Sequence, residues 1–515
     1  MKLRKKWIPV FLIIFLQVSV IVCWGMKKVN FDVDEYLTYG LANSQESPFL
    51  YVYEDVPYSG DQVFLDYLTP SEDHRFDYGT VWYNQGEDVH PPFYYAMIHT
   101  VCSFFPGEFS KWLGISVNLI FFVLSALLIV RIAEELTGDF FWALGALALY
   151  GFSAGIIGTA LFIRMYMMVS FFVLAVLWLH LHYQNRKLDA GFCGGQFLLT
   201  AAGVLTHYYF MIWLFFTAAI FSLGLLAQKR WKELAMYGAA YLAAAAAVLA
   251  VFPRMLEHLF WRGRGQESVE NLKNLADLPE KLSGYFQMMA VQLVGGRGIL
   301  LILMLLGVVL LLQKAVRERR TFLQESLTSP GILMAGSCMG YFLIISKIAP
   351  YLTSRYMSPV YGIVPLLAVY ILHHCLAKLC RKEGMLHAAA LVLCLFMAGS
   401  SWRWGIENTF ESTQEVLDLA AGYADHQALY LYDGCGWKVN CNRLELIQYE
   451  SYRFVSLDGL EEYLAEHPDL DRTVLYVLDE FDQEAAIRRI LDADPELKES
   501  RYLFQSYFAS AYYLE

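Results

Sequence analysis

Residues 7–24, WIPVFLIIFLQVSVIVCW, run straight into an acidic, aromatic segment, 31–40, FDVDEYLTYG. The first stretch is long enough to cross a bilayer as a helix, which needs about 20 apolar residues. It follows Lys2, Arg4, Lys5 and Lys6. That start resembles a signal peptide, but the apolar run exceeds a typical h-region and no small-residue cleavage site follows. It reads as a retained first span that delivers two adjacent carboxylates, Asp34 and Glu35, to the membrane surface.

The rest of the chain agrees with a polytopic membrane protein. Of 515 residues, 57% are hydrophobic and only 17% charged, at a mean hydropathy of +0.39. Soluble domains carry about 25% charged residues. The net charge of −11 speaks against nucleic-acid binding, which wants a basic face. Apolar runs at 7–24, 112–130, 140–163, 165–183, 190–208, 209–228, 234–252, 299–312, 332–346, 357–379 and 385–402 predict about eleven transmembrane helices. The basic turns 184–187, 228–232, 314–320 and 377–382 fall on one side. By the positive-inside rule they place the amino terminus in the cytoplasm and the carboxyl-terminal tail outside.

The expected organisation is therefore a membrane domain over 1–402, including an extracytoplasmic loop at 26–108, and an extracytoplasmic α/β domain over 403–515. The loop has 14 acidic residues against three basic ones, and the tail 23 against nine. Translocated segments avoid Lys and Arg, which explains most of that asymmetry. It does not explain a loop of this length, since loops beyond about 15 residues are usually functional or disordered, and this one is too aromatic for disorder. In the tail, helical and strand patterns alternate, with strands expected at 428–433 and 473–479 and a final strand pair within 501–514. Cys435 and Cys441, in GCGWKVNC, leave open a disulfide outside the cell.

Several clusters have the composition of a site. Asp34 at an interface is suited to accept a proton from a hydroxyl, or to hold a divalent cation against a phosphate. Asp88 and His90 precede Pro91–Pro92 late in the loop. Arg164 and Tyr166 (IRMYMM), His207 and Tyr208 (LTHYYF), and Lys347, Arg355 and Tyr356 (KIAPYLTSRYMSP) stand at exterior ends of spans. Charge at a span end is costly enough to suggest function, with snorkelling to headgroups the rival for Lys347. A planar Arg fork suits a phosphate.

Asp-Glu after the first span, HPPFYY in the first loop, R-x-Y, T-H-Y-Y and S-R-Y-x-x-P occur in this order over about 7–402. Together they resemble the GT-C superfamily of polyprenyl-phosphate-sugar-dependent glycosyltransferases, in the branch of protein O-mannosyltransferases and lipid A aminoarabinose transferases. That resemblance implies a multi-pass plasma-membrane enzyme of cell-envelope glycosylation, working on its extracytoplasmic face. It would take a sugar from a polyprenyl-phosphate donor to a hydroxyl of a glycan, lipid or protein. Asp34 would be the base, supported by Glu35. Arg355 with Tyr356, Arg164, Tyr166, His207, Tyr208 and Lys347 would hold the donor phosphate. The loop residues Asp88 and His90 could join Asp34 around a divalent cation, Mg or Mn, which some relatives bind and others lack. The competing reading is a transporter or flippase of a lipid-linked sugar. Against it, no paired halves are visible in the sequence.

Overall fold

The computed structural model describes residues 2–273, 276–317, 322–379, 382–470, 472–494 and 497–515. Arg319, Arg320 and Arg381, counted among the basic turns, lie outside the described residues. The chain divides into two compact units. The first comprises the residues up to Gly25, Val89–Tyr94 and Ile115–Glu407, and the second Met26–Asp88, Tyr95–Gly114 and Asn408–Glu515. Between the membrane helices and the tail the division falls after Glu407. The first loop, assigned above to the membrane domain, is instead grouped with the tail. Both segments are too polar for lipid, and their aromatic rings bury one another: Tyr58 stacks on Tyr452 at 5.9 Å, and Phe64 on the same ring at 6.0 Å.

In the first unit, nine described helices are long and apolar enough to cross a membrane. The polytopic membrane architecture expected from the sequence is thus observed. The broken pair Phe140–Phe152 and Ala154–Leu161, bent by 54°, makes a tenth crossing if counted as one span, and Ala190–Val204 is a shorter apolar helix. Together these account for the eleven expected runs. The helix Tyr166–Tyr183 is mostly buried, while Arg297–Arg317 is almost wholly exposed along an apolar surface. A soluble protein rarely presents such a face; lipid covers it at no cost.

The break at Ser153 is sustained by its neighbours. Ala154 N donates to Ser401 Oγ at 2.8 Å, and Trp402 Nε1 donates to the Phe152 carbonyl at 2.6 Å. Backbone groups freed within a membrane must find such partners. Three helices that the sequence reading did not anticipate, Met255–Phe260, Gly263–Lys273 and Leu278–Val294, occupy the segment after the Trp231–Val251 span. The last of them buries Tyr285, Met289, Leu293 and Val294.

The second unit contains a five-stranded sheet in the order β2-β1-β3-β5-β4. Its strands are β1 (Gln427–Tyr432), β2 (Ser451–Ser456), β3 (Thr473–Leu478), β4 (Ser500–Gln505) and β5 (Ala509–Leu514). β1 pairs parallel with β2 and β3, whereas the terminal hairpin β4–β5 is antiparallel and joins β3 through β5. β3 is buried at every position, as expected of a central strand covered on both faces. Leu429, Leu431, Leu475 and Val477 meet Leu460, Leu464, Ile487 and Ile490 from the covering helices. The small α/β domain is present as read, with β2 and the short helices at 436–446 added.

Cys435 and Cys441 are free thiols. Residues 436–442 are helical rather than a hairpin turn. Six helical steps place the two Cα atoms about 9 Å apart, beyond the reach of a disulfide.

Candidate active site

In the second unit, the acidic pair opens the helix Val33–Asn43. Asp32 is its N-cap, accepting from Asp34 N at 2.9 Å, and Asp32 N donates to Glu35 Oε2 at 2.7 Å, a reciprocal capping box. The cap sends the two neighbouring carboxylates to different places. Glu35 is fully buried and ion-paired with Lys28 Nζ at 2.8 Å, and the same ammonium donates to the Asn408 carbonyl at 2.8 Å. Asp34 remains partly exposed. Glu35 therefore serves the architecture of the turn, and Asp34 is the more accessible of the two carboxylates.

The tail braces this turn. Tyr507, at the tip of the β4–β5 hairpin, donates to Asp32 Oδ2 at 3.1 Å, and Val29 N donates to the Thr409 carbonyl at 2.8 Å. Tyr36 OH donates to Asn30 Oδ1 at 2.9 Å. Arg443 clasps Asp61 in a bidentate pair. Asp88 closes the helix Tyr78–Glu87, its amide donating to the Asn84 carbonyl at 3.0 Å. Its negative charge lies close enough to Tyr67 to help hold that phenol protonated.

The first unit gathers the cationic and aromatic residues. The helix ending at Leu161 leaves the carbonyls of Ala160 and Phe162 without helical partners, and Asn118 Nδ2 donates to both, at 3.2 and 2.6 Å. Tyr94 OH donates to Asn118 Oδ1 at 3.0 Å. This arrangement sets Arg164, 2% exposed, in the turn before Tyr166–Tyr183. Its Nη2 donates to His90 Nε2 at 3.2 Å. The His90 ring lies 6.1 Å from that of His207, and the His207 ring lies 5.5 Å from Tyr166 and 4.9 Å from Tyr209. Tyr209 packs edge-on to Tyr356 at 5.7 Å, and the Arg355 guanidinium sits 5.3 Å from the Tyr356 ring.

His207 occupies the turn between two helices. Burial, then the guanidinium charges of Arg164 and Arg355, hold its pKa well below the ordinary range, so it is neutral. Its Nδ1 accepts from Tyr209 N at 3.0 Å, which leaves the proton on Nε2. The nest thus offers two guanidinium groups and one neutral N–H donor, a set suited to a phosphate monoester.

Tyr208 turns elsewhere, bonding His258 Nδ1 at 2.9 Å. Lys347, 7% exposed, faces Asp277 Oδ1 at 3.7 Å, beside the Lys281–Asp277 pair at 2.8 Å. The sequence reading missed Asn118, Tyr209, His258 and Asp277. Asn118 had a signal, being an amide inside an otherwise apolar run. In the first unit, a groove of about 770 Å³ is lined by residues including Leu303, Met304, Ile332, Met339, Leu367 and Lys314.

Among the described residues, the Asp, Glu, His or Cys group close enough to share an ion is Asp55, Glu466 and His467. Arg453 already pairs with Asp55 at 3.0 Å. His90, proposed from sequence as a ligand, presents Nε2 to the Arg164 guanidinium. With the guanidinium against it, that nitrogen does not fit a metal.

This architecture, a broken-helix membrane bundle with an α/β unit, is a GT-C-like fold, as the sequence motifs implied. Comparison with solved structures finds ArnT from Cupriavidus metallidurans, crystallised with undecaprenyl phosphate, at a TM-score of 0.54 and 12% identity over 97% of both chains. The archaeal oligosaccharyltransferase AglB from Archaeoglobus fulgidus, in complex with an inhibitory peptide and a dolichol-phosphate, gives a TM-score of 0.44 at 11% identity, over 96% of this chain and 74% of that one. No protein-family model matches the sequence, and no curated protein matches it.

Proposed function

We propose that this protein is an extracytoplasmic membrane glycosyltransferase, moving a sugar from a polyprenyl-phosphate carrier to an acceptor hydroxyl. The observation that carries the reading is the nest of Arg164, His90, His207 and Arg355 beside a helix break in the membrane unit. Charge placed within a membrane unit is costly and marks a functional site, and two guanidinium groups with a histidine suit a phosphate. The apolar groove on the same unit has the chemistry a polyprenyl chain requires. The likeness of the fold to ArnT, whose crystal structure contains undecaprenyl phosphate, supports the same choice.

In this reading Asp34 accepts the proton of the acceptor hydroxyl. The hydroxyl oxygen forms a bond to the anomeric carbon from the face opposite the phosphate. The carbon–oxygen bond to phosphate breaks, and its electron pair leaves with the polyprenyl phosphate, inverting the centre. Arg355, Arg164 and the Nε2–H of His207 stabilise the charge growing on the leaving group. Glu35, locked to Lys28, keeps the Asp34 turn in place. A monophosphate ester needs no nucleotide fold, and no step here requires a metal. The basic turns face the cytoplasm and the second unit faces outward.

The bent helix pair gives a specific reason to test a lipid-linked-sugar flippase, since discontinuous helices are characteristic of transporters. Proteoliposomes loaded with radiolabelled polyprenyl-phosphate sugar and candidate acceptors separate the two. Transfer should fall about 10²–10⁴-fold in Asp34→Asn and about 10²–10³-fold in Arg355→Ala. Label that crosses the bilayer without being transferred, at the same rate in Asp34→Asn, would establish the flippase. Full transfer by Asp34→Asn would remove the base assignment.

A further inference from the structure

The helix that begins with Asp34 ends in a second polar feature, outside the machinery described above. Asn43, Gln45, Gln62, Leu65, Asp66, Thr69, Pro70, Ser71, His74 and Gly107 enclose a concavity of about 260 Å³ in the second unit. Ligand pockets for drug-sized molecules begin near 300 Å³, so this one takes a single ring. We infer that it binds a neutral sugar residue, as a subsite for a saccharide acceptor. The word acceptor rests on the transferase reading; the binding itself does not.

The floor is built and fixed. Asn43 is 4% exposed and Thr69 7%. Asn43 Nδ2 donates to the Leu68 carbonyl at 2.9 Å, while His99 Nδ1 lies 3.2 Å from its Oδ1. The Thr69 hydroxyl donates to the Leu65 carbonyl at 2.8 Å, which leaves its lone pairs to accept. At the rim, Gln62 Nε2 donates to Asp66 Oδ1 at 2.6 Å, so the second carboxylate oxygen and the amide oxygen remain available as acceptors. The side chains of Gln45 and Ser71 hold no hydrogen bond to other described residues, and both are exposed.

This lining discriminates between ligand classes. No Lys or Arg is among the lining residues, which disfavours a phosphate or a carboxylate. Leu65 and Pro70 alone are apolar, too little to hold the side chains of a peptide. One carboxylate, three amides and two hydroxyls alternate donor and acceptor character around a small volume. Vicinal hydroxyls, each able to donate and accept, match that pattern; a cation would need more charge. Asp34 and Asn43 lie nine steps apart along one helix, about 14 Å, so an acceptor of a few sugar residues is long enough to span both ends.

The test uses the full chain in nanodiscs, as Asp34→Asn and without donor, so that binding is read apart from transfer. Saturation-transfer NMR is run with maltotriose, cellotriose, mannotriose and chitotriose, and with inorganic phosphate and a Ser/Thr-rich peptide as competing classes. We expect at least one saccharide to bind and its affinity to drop about tenfold or more in Gln62→Ala and in Asp66→Ala. Both are exposed, so neither change threatens folding. No saccharide signal, a signal unchanged by both substitutions, or preferential binding of phosphate or peptide each overturns the subsite. Saccharide binding without transfer by the native chain leaves the subsite standing and removes the transferase. Transfer without saccharide binding does the reverse.

Discussion

Glu445 is 1% exposed and has no cation on either oxygen: Ser506 Oγ donates to Oε1 at 2.6 Å and Asn442 Nδ2 to Oε2 at 3.0 Å. The nearby Arg443 is committed to Asp61. The other groups around it are phenols and a thiol: Tyr36, Tyr430, Tyr449, Tyr476 and Cys441. Burial raises its pKa to about 7, and the two hydrogen bonds offset only part of that. Below its ordinary value of 4.5 the carboxyl is neutral whether the chain is folded or not, so folding carries no penalty. As pH rises toward 7, the unfolded chain ionises freely while the folded one resists, and stability declines before levelling off above 7. Moving a carboxyl from 4.5 to about 7 corresponds to about 3 kcal/mol. Glu445→Gln should therefore match the native protein near pH 4.5 and exceed it above pH 7. For a unit of this size each kcal/mol is worth about 2–4 °C in Tm, so the gap should open to roughly 6–12 °C. Differential scanning fluorimetry of the second unit's transition across this range measures it. A gap that does not change with pH, or one of opposite sign, would mean that a cation already compensates the carboxylate.

Three further outcomes follow from the packing. A Cβ on Gly436 would run into the Leu50 carbonyl oxygen, a backbone atom; Gly436→Ala should speed hydrogen exchange around residue 50, and unchanged protection would refute the contact. Asn118→Leu strips its donor from the Ala160 carbonyl at about 1–3 kcal/mol, leaves the Phe162 carbonyl to Arg164 N at 2.7 Å, and should lower both thermal stability and transfer, read together in proteoliposomes. Lys28→Met leaves Glu35 buried without its partner and should destabilise by about 3–5 kcal/mol, whereas the double change Lys28→Met with Glu35→Gln should recover most of that loss in denaturation experiments.

The membrane helices were legible because lipid imposes one simple rule, a run of apolar residues, on each of them. The tail strands were legible from period-two alternation, except β2, whose SYRFVS carries a central Arg453 that pairs with Asp55. That partner is distant in sequence and leaves no local trace. The helix Leu278–Val294 mixes Glu280, Lys281 and Gln287 with its apolar residues, and so falls below the hydropathy of a span. At the site, Arg164, His207 and Arg355 were visible as charges where apolar runs end. The different fates of Asp34 and Glu35 were not, because they depend on a capping box and on Lys28 seven residues earlier. The grouping of the loop with the tail also lay beyond local pattern. It rests on aromatic contacts between residues nearly 400 positions apart.

The hydroxyl of Tyr507 on Asp32 joins positions 475 residues apart. A ribosome delivers Asp32 long before Tyr507. The acidic turn therefore has its own capping box at once but gains this clasp only when the β4–β5 hairpin has been made. Contacts of such range close slowly, so the last bond of the acidic turn is timed by synthesis of that hairpin rather than by insertion of the first helix.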